Sequence, residues 1–210
     1  GGDGFASGHG ITNYRSGYGG GGGRLALFYG SNNFAGSIQV AGGQGHLDGG
    51  EGSVYLMNTD GTLTVPAGQT TITTGDTYQG VALQVGAELT IAGSATLNEM
   101  LVIPEGATVR LTSSNALDNI ALQSNIAGTL IIDAPTDIAV STNNPNGDLT
   151  ISGTLVINQA LSVAGDLTMP GYPSVVTHDA GEAQSALTVG GTLSVGFLSR
   201  LDMTGKGLAA

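Results

Sequence analysis

The sequence predicts an all-β chain wound as a right-handed parallel β-solenoid, with Gly-rich loops at its N-terminal end. Two observations carry that prediction, one local and one long-range. Between Asp148 and Met169 the unit L-x-[VI]-x-G-x-L-x-[VIM] occurs twice. Leu149, Ile151, Leu155 and Ile157 form the first copy around Gly153; Leu161, Val163, Leu167 and Met169 form the second around Gly165. Within each half the apolar residues sit at i and i+2, the period of a strand. The halves are six residues apart, so the chain turns after every three or four strand residues and a Gly takes the corner. Over longer range, related half-units begin near 89, 109, 130 and 149. That spacing of roughly twenty residues matches one coil of a solenoid.

Such short strands are not stable as isolated hairpins. Stacked on the coil below, each gains hydrogen bonds on both edges and buries its Leu or Val in a continuous column. Each buried side chain is worth about 1.5–3 kcal/mol. The predicted core therefore contains Leu89, Leu149, Ile151, Leu155, Ile157, Leu167 and Leu193. The predicted corner glycines are Gly86, Gly106, Gly153, Gly165 and Gly190. Further doublets are Leu83, Val85, Leu89 and Ile91; Leu101, Ile103, Val109 and Leu111; and Leu187, Val189, Leu193 and Val195. Thr and Ser fill the alternate, outward positions. The only helix candidates, Ser114–Leu122 and Ala180–Leu187, are short.

Residues 1–61 have a different texture and read as a Gly-rich loop and strand region, continuous with regular coils over 62–210 and sharing one core. Just over half of the 37 glycines fall before Ser53, including the run Gly19–Gly23. Three strand-like pieces interrupt them: Arg24–Tyr29, Ser37–Ala41 and Ser53–Met57, with Leu25, Leu27, Ile38, Val40, Val54 and Leu56 as inward residues. A five-Gly run costs much backbone entropy to order. The strands that follow at once, and the interleaved aromatics, favour ordered loops packed against a neighbouring backbone over a flexible linker.

Composition excludes several functions. Five Lys+Arg against 16 Asp+Glu give a net charge of −11. That balance opposes nucleic acid, whose binding rests on cations neutralising phosphate, and anionic membrane surfaces. The chain has no Cys, hence no disulfide and no thiolate metal site. No apolar stretch reaches the ~18 residues of a membrane span. Residue 1 is not Met, and Gly1 reads as a cut end.

Candidate chemistry is sparse. His9, His46 and His178 are scattered in loops, and neither G-x-S-x-G nor H-E-x-x-H occurs. Arg110 and Arg200 are the basic residues of the strand-rich part, and in sequence neither sits in an acidic cluster. No catalytic residue is assigned, and no cofactor is expected beyond Ca²⁺. For Ca²⁺, Asp3, Asp48, Glu51 and Asp60 could supply oxygens, although such residues commonly cap turns. The segment Gly42–Gly52 departs from the Gly-rich Ca²⁺ repeat because Asp48 falls two residues late. Tyr14, Tyr18, Tyr55, Tyr78 and Tyr172 could stack on sugars or pin Gly-rich turns.

The segments GGGGGRLALFYGSNNFAGSIQVAGGQG and GGEGSVYL, the G-x-L-x-V units and the closing LDMTGKG resemble Gly-rich β-solenoid segments of very large secreted or cell-surface, adhesin-like bacterial proteins. The resemblance spans most of the chain and implies an extracellular, non-enzymatic, structural or adhesive role. Joined tail to head, LDMTGKGLAA–GGDGFASGHG reads as an uninterrupted pattern. No polar or helical cap is apparent at either end, and an open solenoid end exposes unpaired strand edges. The expected partner is therefore another copy, head to tail, in an array or filament. A module binding glycan or a cell-surface ligand, and a polysaccharide-active β-helix enzyme, are the alternatives.

Overall fold

The computed structural model describes residues 18–31, 38, 40–45, 47–50, 52–142, 144–179 and 185–202. It is all-β, with no helix among these residues, and its sheets are mostly parallel. The reason lies in the apolar period. The chain offers i, i+2 apolar pairs but no stripe wide enough for a helix, so each segment must find hydrogen bonds on another segment.

Seven strands build the longest sheet: Gly68–Ile72, Ala87–Ile91, Thr108–Leu111, Thr129–Ile132, Thr154–Ile157, Val175–Thr177 and Arg200–Asp202, all parallel and stacked in chain order. Their register lines up like with like. Leu89, Val109, Leu130, Leu155, Val176 and Leu201 form one inward column, and Ile91, Leu111, Ile132 and Ile157 form another. All of these except Leu201 are essentially sealed from solvent.

A four-stranded sheet stacks Asn125–Ile126, Leu149–Ile151, Leu167–Met169 and Leu193–Val195. A three-stranded sheet stacks Thr136–Ile138, Ala160–Val163 and Ala186–Val189. From Leu149 to Val163 the chain thus visits three sheets in turn before Leu167 returns to lie on Leu149. The two sequence doublets are not two stacked coils. One doublet covers two sides of a circuit, and the next begins on the third side.

The predicted core residues Leu89, Leu149, Ile151, Leu155, Ile157 and Leu167 are buried. Leu193 is not: it stays 44% exposed. Its strand is paired on one edge with Leu167–Met169, but no further circuit lies over it among the described residues. Val85, placed inward by pattern, is 79% exposed. The preceding strand ends at Leu83, and Val85 sits in the turn before Gly86. The helix candidate Ser114–Leu122 does not form. Residues 114–122 are a string of turns, Ala186–Val189 is a strand, and Ala180–Gln184 lie outside the described residues.

The N-terminal region departs most from expectation. Arg24–Tyr29 pairs in parallel with Ser53–Asn58, but Ser53–Asn58 pairs antiparallel with Thr62–Val65. The chain reverses at Asn58–Gly61, where Gly61 takes φ +89° and Asp60 accepts the Thr62 N–H at 2.8 Å. Val54 and Leu56 are buried, Tyr55 and Met57 pack on the main core, and the Thr70 hydroxyl donates to the Val54 carbonyl. The stack therefore reverses direction at this end, and beyond the reversal Arg24–Tyr29 pairs, among the described residues, along one edge only. Of the three predicted strands here, Arg24–Tyr29 and Ser53–Asn58 form. The described residues of Ser37–Ala41 are not in a strand. Leu25 and Leu27, expected inward, are half-buried and exposed.

Candidate functional site

The residues that could do work fall into three groups: the corner columns, the polar pins between circuits, and the surface of the last described circuit.

A Gly stands in the corner just before four of the seven long-sheet strands, Gly86, Gly106, Gly128 and Gly153, and Gly68 opens the first strand. At Gly86 and Gly106 the reason is backbone conformation, with φ +77° and +78°, which a Cβ disfavours. The Gly86 N–H donates to the Gly106 carbonyl at 2.8 Å. At Gly153 the reason is space. A Cβ there would collide with the carbonyl oxygens of Gly128 and Ala127 on the circuit below. Gly165 and Gly190 are also crowded, against Asp148 and Asn146 and against Ala164 respectively.

A second corner carries a device that sequence reading missed. Gly-Asp-Leu-Thr occurs at 147–150 and again at 165–168, and Gly-Thr-Leu-Ser follows at 191–194. The Asp148 carboxylate accepts the Asp166 N–H at 2.8 Å, and the Asp166 carboxylate accepts the Thr192 N–H at 2.6 Å. Each Asp caps the residue stacked on it one circuit later. The repeated tetrapeptide was the available signal.

Along the long sheet runs a polar ladder. Arg110 reaches Asp133 through Nη1 and lies 3.5 Å from Glu88 through Nε. The Asn158 amide donates to Asp133 at 2.7 Å and to Asp179 at 2.8 Å, and accepts the Asp179 N–H at 2.8 Å. The His178 ring nitrogen Nδ1 lies 2.7 Å from the Asp179 carbonyl. Partial burial opposes the Arg110 charge, but the hydrogen bond and charge of Asp133, with those of Glu88, outweigh it and hold the guanidinium above its ordinary range. The sequence placed Arg110 in no acidic cluster; in space it lies between two carboxylates. Those partners are more than twenty residues away on either side, which hid them from a local reading.

The Ca²⁺ candidates do not converge. Asp48 accepts the Gly45 N–H at 3.0 Å. Asp60 caps the reversal and accepts from the Asn58 amide. Asp3 and Glu51, like His9, His46 and Tyr14, lie outside the described residues. No group of three His, Cys, Asp or Glu side chains gathers among the described residues.

The aromatics divide. Tyr78 is 5% exposed and packs 6.5 Å from Tyr55, which lies 6.1 Å from Phe28. Burial, the hydrogen bond that Tyr78 donates to Tyr55 and the nearby Asp76 carboxylate push the Tyr78 hydroxyl far above its usual value. It is a packing residue and cannot meet a ligand. Tyr55 is half-buried, whereas Tyr18 and Tyr172 are exposed.

The last described circuit presents Leu193, Val195 and Leu201, each nearly half exposed, on strands paired, among the described residues, along one edge only. Phe197 and Leu198 project beside them. Five of the exposed large apolar side chains among the described residues thus belong to this one circuit. Comparison with protein-family models, curated proteins and solved structures returns no match to this chain.

Proposed function

We propose that the stacked sheets form a right-handed parallel β-solenoid and that the chain is a structural, non-catalytic unit of an extracellular solenoid array. One observation carries this reading: the apolar columns run through the described stack and arrive, uncovered, at Leu193, Val195 and Leu201. Parallel crossovers are right-handed in about 98% of cases, which supports the hand. Arg110, Asp133, Asn158 and Asp179 are engaged with one another or with neighbours on adjacent circuits.

A unit with such an end is completed by a further circuit, from the same chain or from another copy. The reversed strand at the other end gives the array a polarity. The junction joins the parallel edges of the last circuit to the outer edge of Arg24–Tyr29, so it is heterologous and does not close. Sedimentation velocity over a wide concentration range tests this. Growth into long species that Leu193→Lys abolishes without lowering the melting temperature is expected. A strictly monomeric unit at millimolar concentration would contradict the reading.

A second reading, an adhesin segment that stacks glycans on aromatic rings, is favoured by Tyr172 and Phe197. Both are about four-fifths exposed, and Gly171 lies against the Phe197 backbone on the next circuit.

A further inference from the structure

The third side of the stack is interrupted. On most circuits a strand follows the long-sheet strand within about ten residues: Thr77–Tyr78, Thr96–Leu97, Thr136–Ile138, Ala160–Val163 and Ala186–Val189. The first two form their own small sheet, and the last three form another. After Thr108–Leu111 the chain instead makes the turns of residues 113–120, and only Asn119 reaches the lower sheet, by a bridge to Thr96. The two sheets do not meet. Between them lies a groove of about 500 Å³, bounded by residues 114–122 on one side and by 136–142 and 144 on the other. That volume falls in the range of ligand sites, roughly 300–1,000 Å³.

The upper wall of the groove is a strand edge. The Ala164 N–H donates to the Ile138 carbonyl, so Ile138 bonds toward Ala160–Val163. Backbone groups alternate along a strand, and the Asp137 N–H and C=O and the Ala139 N–H therefore point the other way, into the groove. Thr136–Ile138 is the outermost strand of its sheet and pairs, among the described residues, with Ala160–Val163 alone. Ile120 and Ile138 are buried at its base. Asp118 and Asp137 lie on its walls and are exposed, and among the described residues no Lys, Arg or His lines it.

We propose that this groove binds an extended peptide segment of a partner protein that carries Lys or Arg beside small apolar residues. The segment adds as a strand to the Thr136–Ile138 edge, taking the place of the missing rung. Main-chain hydrogen bonds to Asp137 and Ala139 hold it, apolar side chains cover Ile120 and Ile138, and its cations meet Asp118 and Asp137. A second copy of this chain is a poor occupant on charge grounds, since it carries a net charge of −11 and only five Lys+Arg. The site is independent of the array junction, which lies at the last circuit.

The test is an isotope-labelled amide titration of the whole chain with the acetylated, amidated peptide Lys-Val-Thr-Val-Thr-Lys, beside Glu-Val-Thr-Val-Thr-Glu. Saturable shifts centred on the Asp137 and Ala139 amides are expected with the Lys peptide alone. Asp118→Asn with Asp137→Asn should weaken binding roughly fivefold, the sum of two exposed ion pairs. Ala139→Pro should abolish it with the melting temperature unchanged, because it deletes only an edge N–H. The proposal is overturned by equal binding of both peptides, by shifts absent or scattered over the surface, or by protection of these amides through self-association of the free chain.

Discussion

The glycine segments 19–23, 40–43 and 49–50 with Gly52, and the apolar columns that begin at Leu63, solve one problem in opposite ways. Both must keep neighbouring backbone segments in contact. In the columns, Leu, Ile and Val interdigitate and the backbones are joined by sheet hydrogen bonds. In the Gly-rich part the three segments touch backbone to backbone. A Cβ on Gly19, Gly22, Gly42, Gly49 or Gly52 would collide with a main-chain atom of another segment. Hydrogen bonds join all three segments: Gly22 to Gly50, Gly43 to Gly20, and Gly52 to Val40. The contacting positions Gly19 and Gly22, and Gly49 and Gly52, are three apart, the period of a polyproline-II helix rather than of a strand. The difference teaches that glycine serves here as a packing residue. Its lack of a side chain lets backbones approach, as expected for ordered loops, but with a period the strand patterns do not contain.

The comparison can be broken first on the apolar side. Leu155→Asp places an unpaired charge in the middle of the longest column and should cost well over 4 kcal/mol, so that no folded chain is recovered. Circular dichroism of the purified variant is the check, and a melting curve like that of the parent chain would refute the register. Leu130→Ala, in the same column, should cost about 2–5 kcal/mol by leaving a cavity.

On the glycine side the damage should be local. Gly22→Ala forces a methyl group into the Val40 carbonyl and the Gly52 backbone and should cost about 1–3 kcal/mol, as overpacking does. Hydrogen exchange should show the amides of 19–23 and 40–52 losing protection while those of 108–176 keep theirs. Gly50→Ala, where a Cβ meets open space, should be neutral or slightly stabilising by contrast. Equal effects of the two would dissolve the distinction drawn above.

Asn158→Ala sharpens the account of how circuits are pinned. It leaves Asp133 and Asp179 without their shared donor, at a cost of about 1–3 kcal/mol, and Asn158→Asp should be worse through charge repulsion. The smallest effect concerns pH. The Tyr78 hydroxyl is raised in the folded chain, so its contribution is fully present below the ordinary tyrosine value of about 10 and falls as pH rises beyond it. Tyr78→Phe should flatten the alkaline limb of a stability–pH profile, and an unchanged slope would show that Tyr78 is not its source.

Much of this was legible in the sequence because strands stacked in register make the apolar period repeat. Leu149, Leu155 and Leu167 are buried as their spacing predicts, and the glycines at 86, 106 and 153 sit at corners. What was not legible is which strand lies on which. Leu149, Leu155 and Leu161 look alike in pattern yet lie on three different sheets, since nothing in a three-residue strand marks its side of the circuit. Leu193 shares the pattern G-x-L-x-[VM] with Leu167, yet Leu167 has a strand on both sides and Leu193 on one among the described residues. The reversal at Asn58–Gly61 did carry a signal, Asp-Gly between two strand patterns, which is a hairpin mark. It is easily outweighed by the repetition on either side. The groove beside Thr136 could not be seen at all, because it is made by a strand that fails to form.

The central claim is that the columns continue from one unit into the next. Electron micrographs of a chain carrying four copies in tandem test it most directly. The account predicts straight rods whose length grows in proportion to copy number, with a repeat of about 4.7–4.9 Å along the axis. Compact beads joined by spacers of variable length would contradict it.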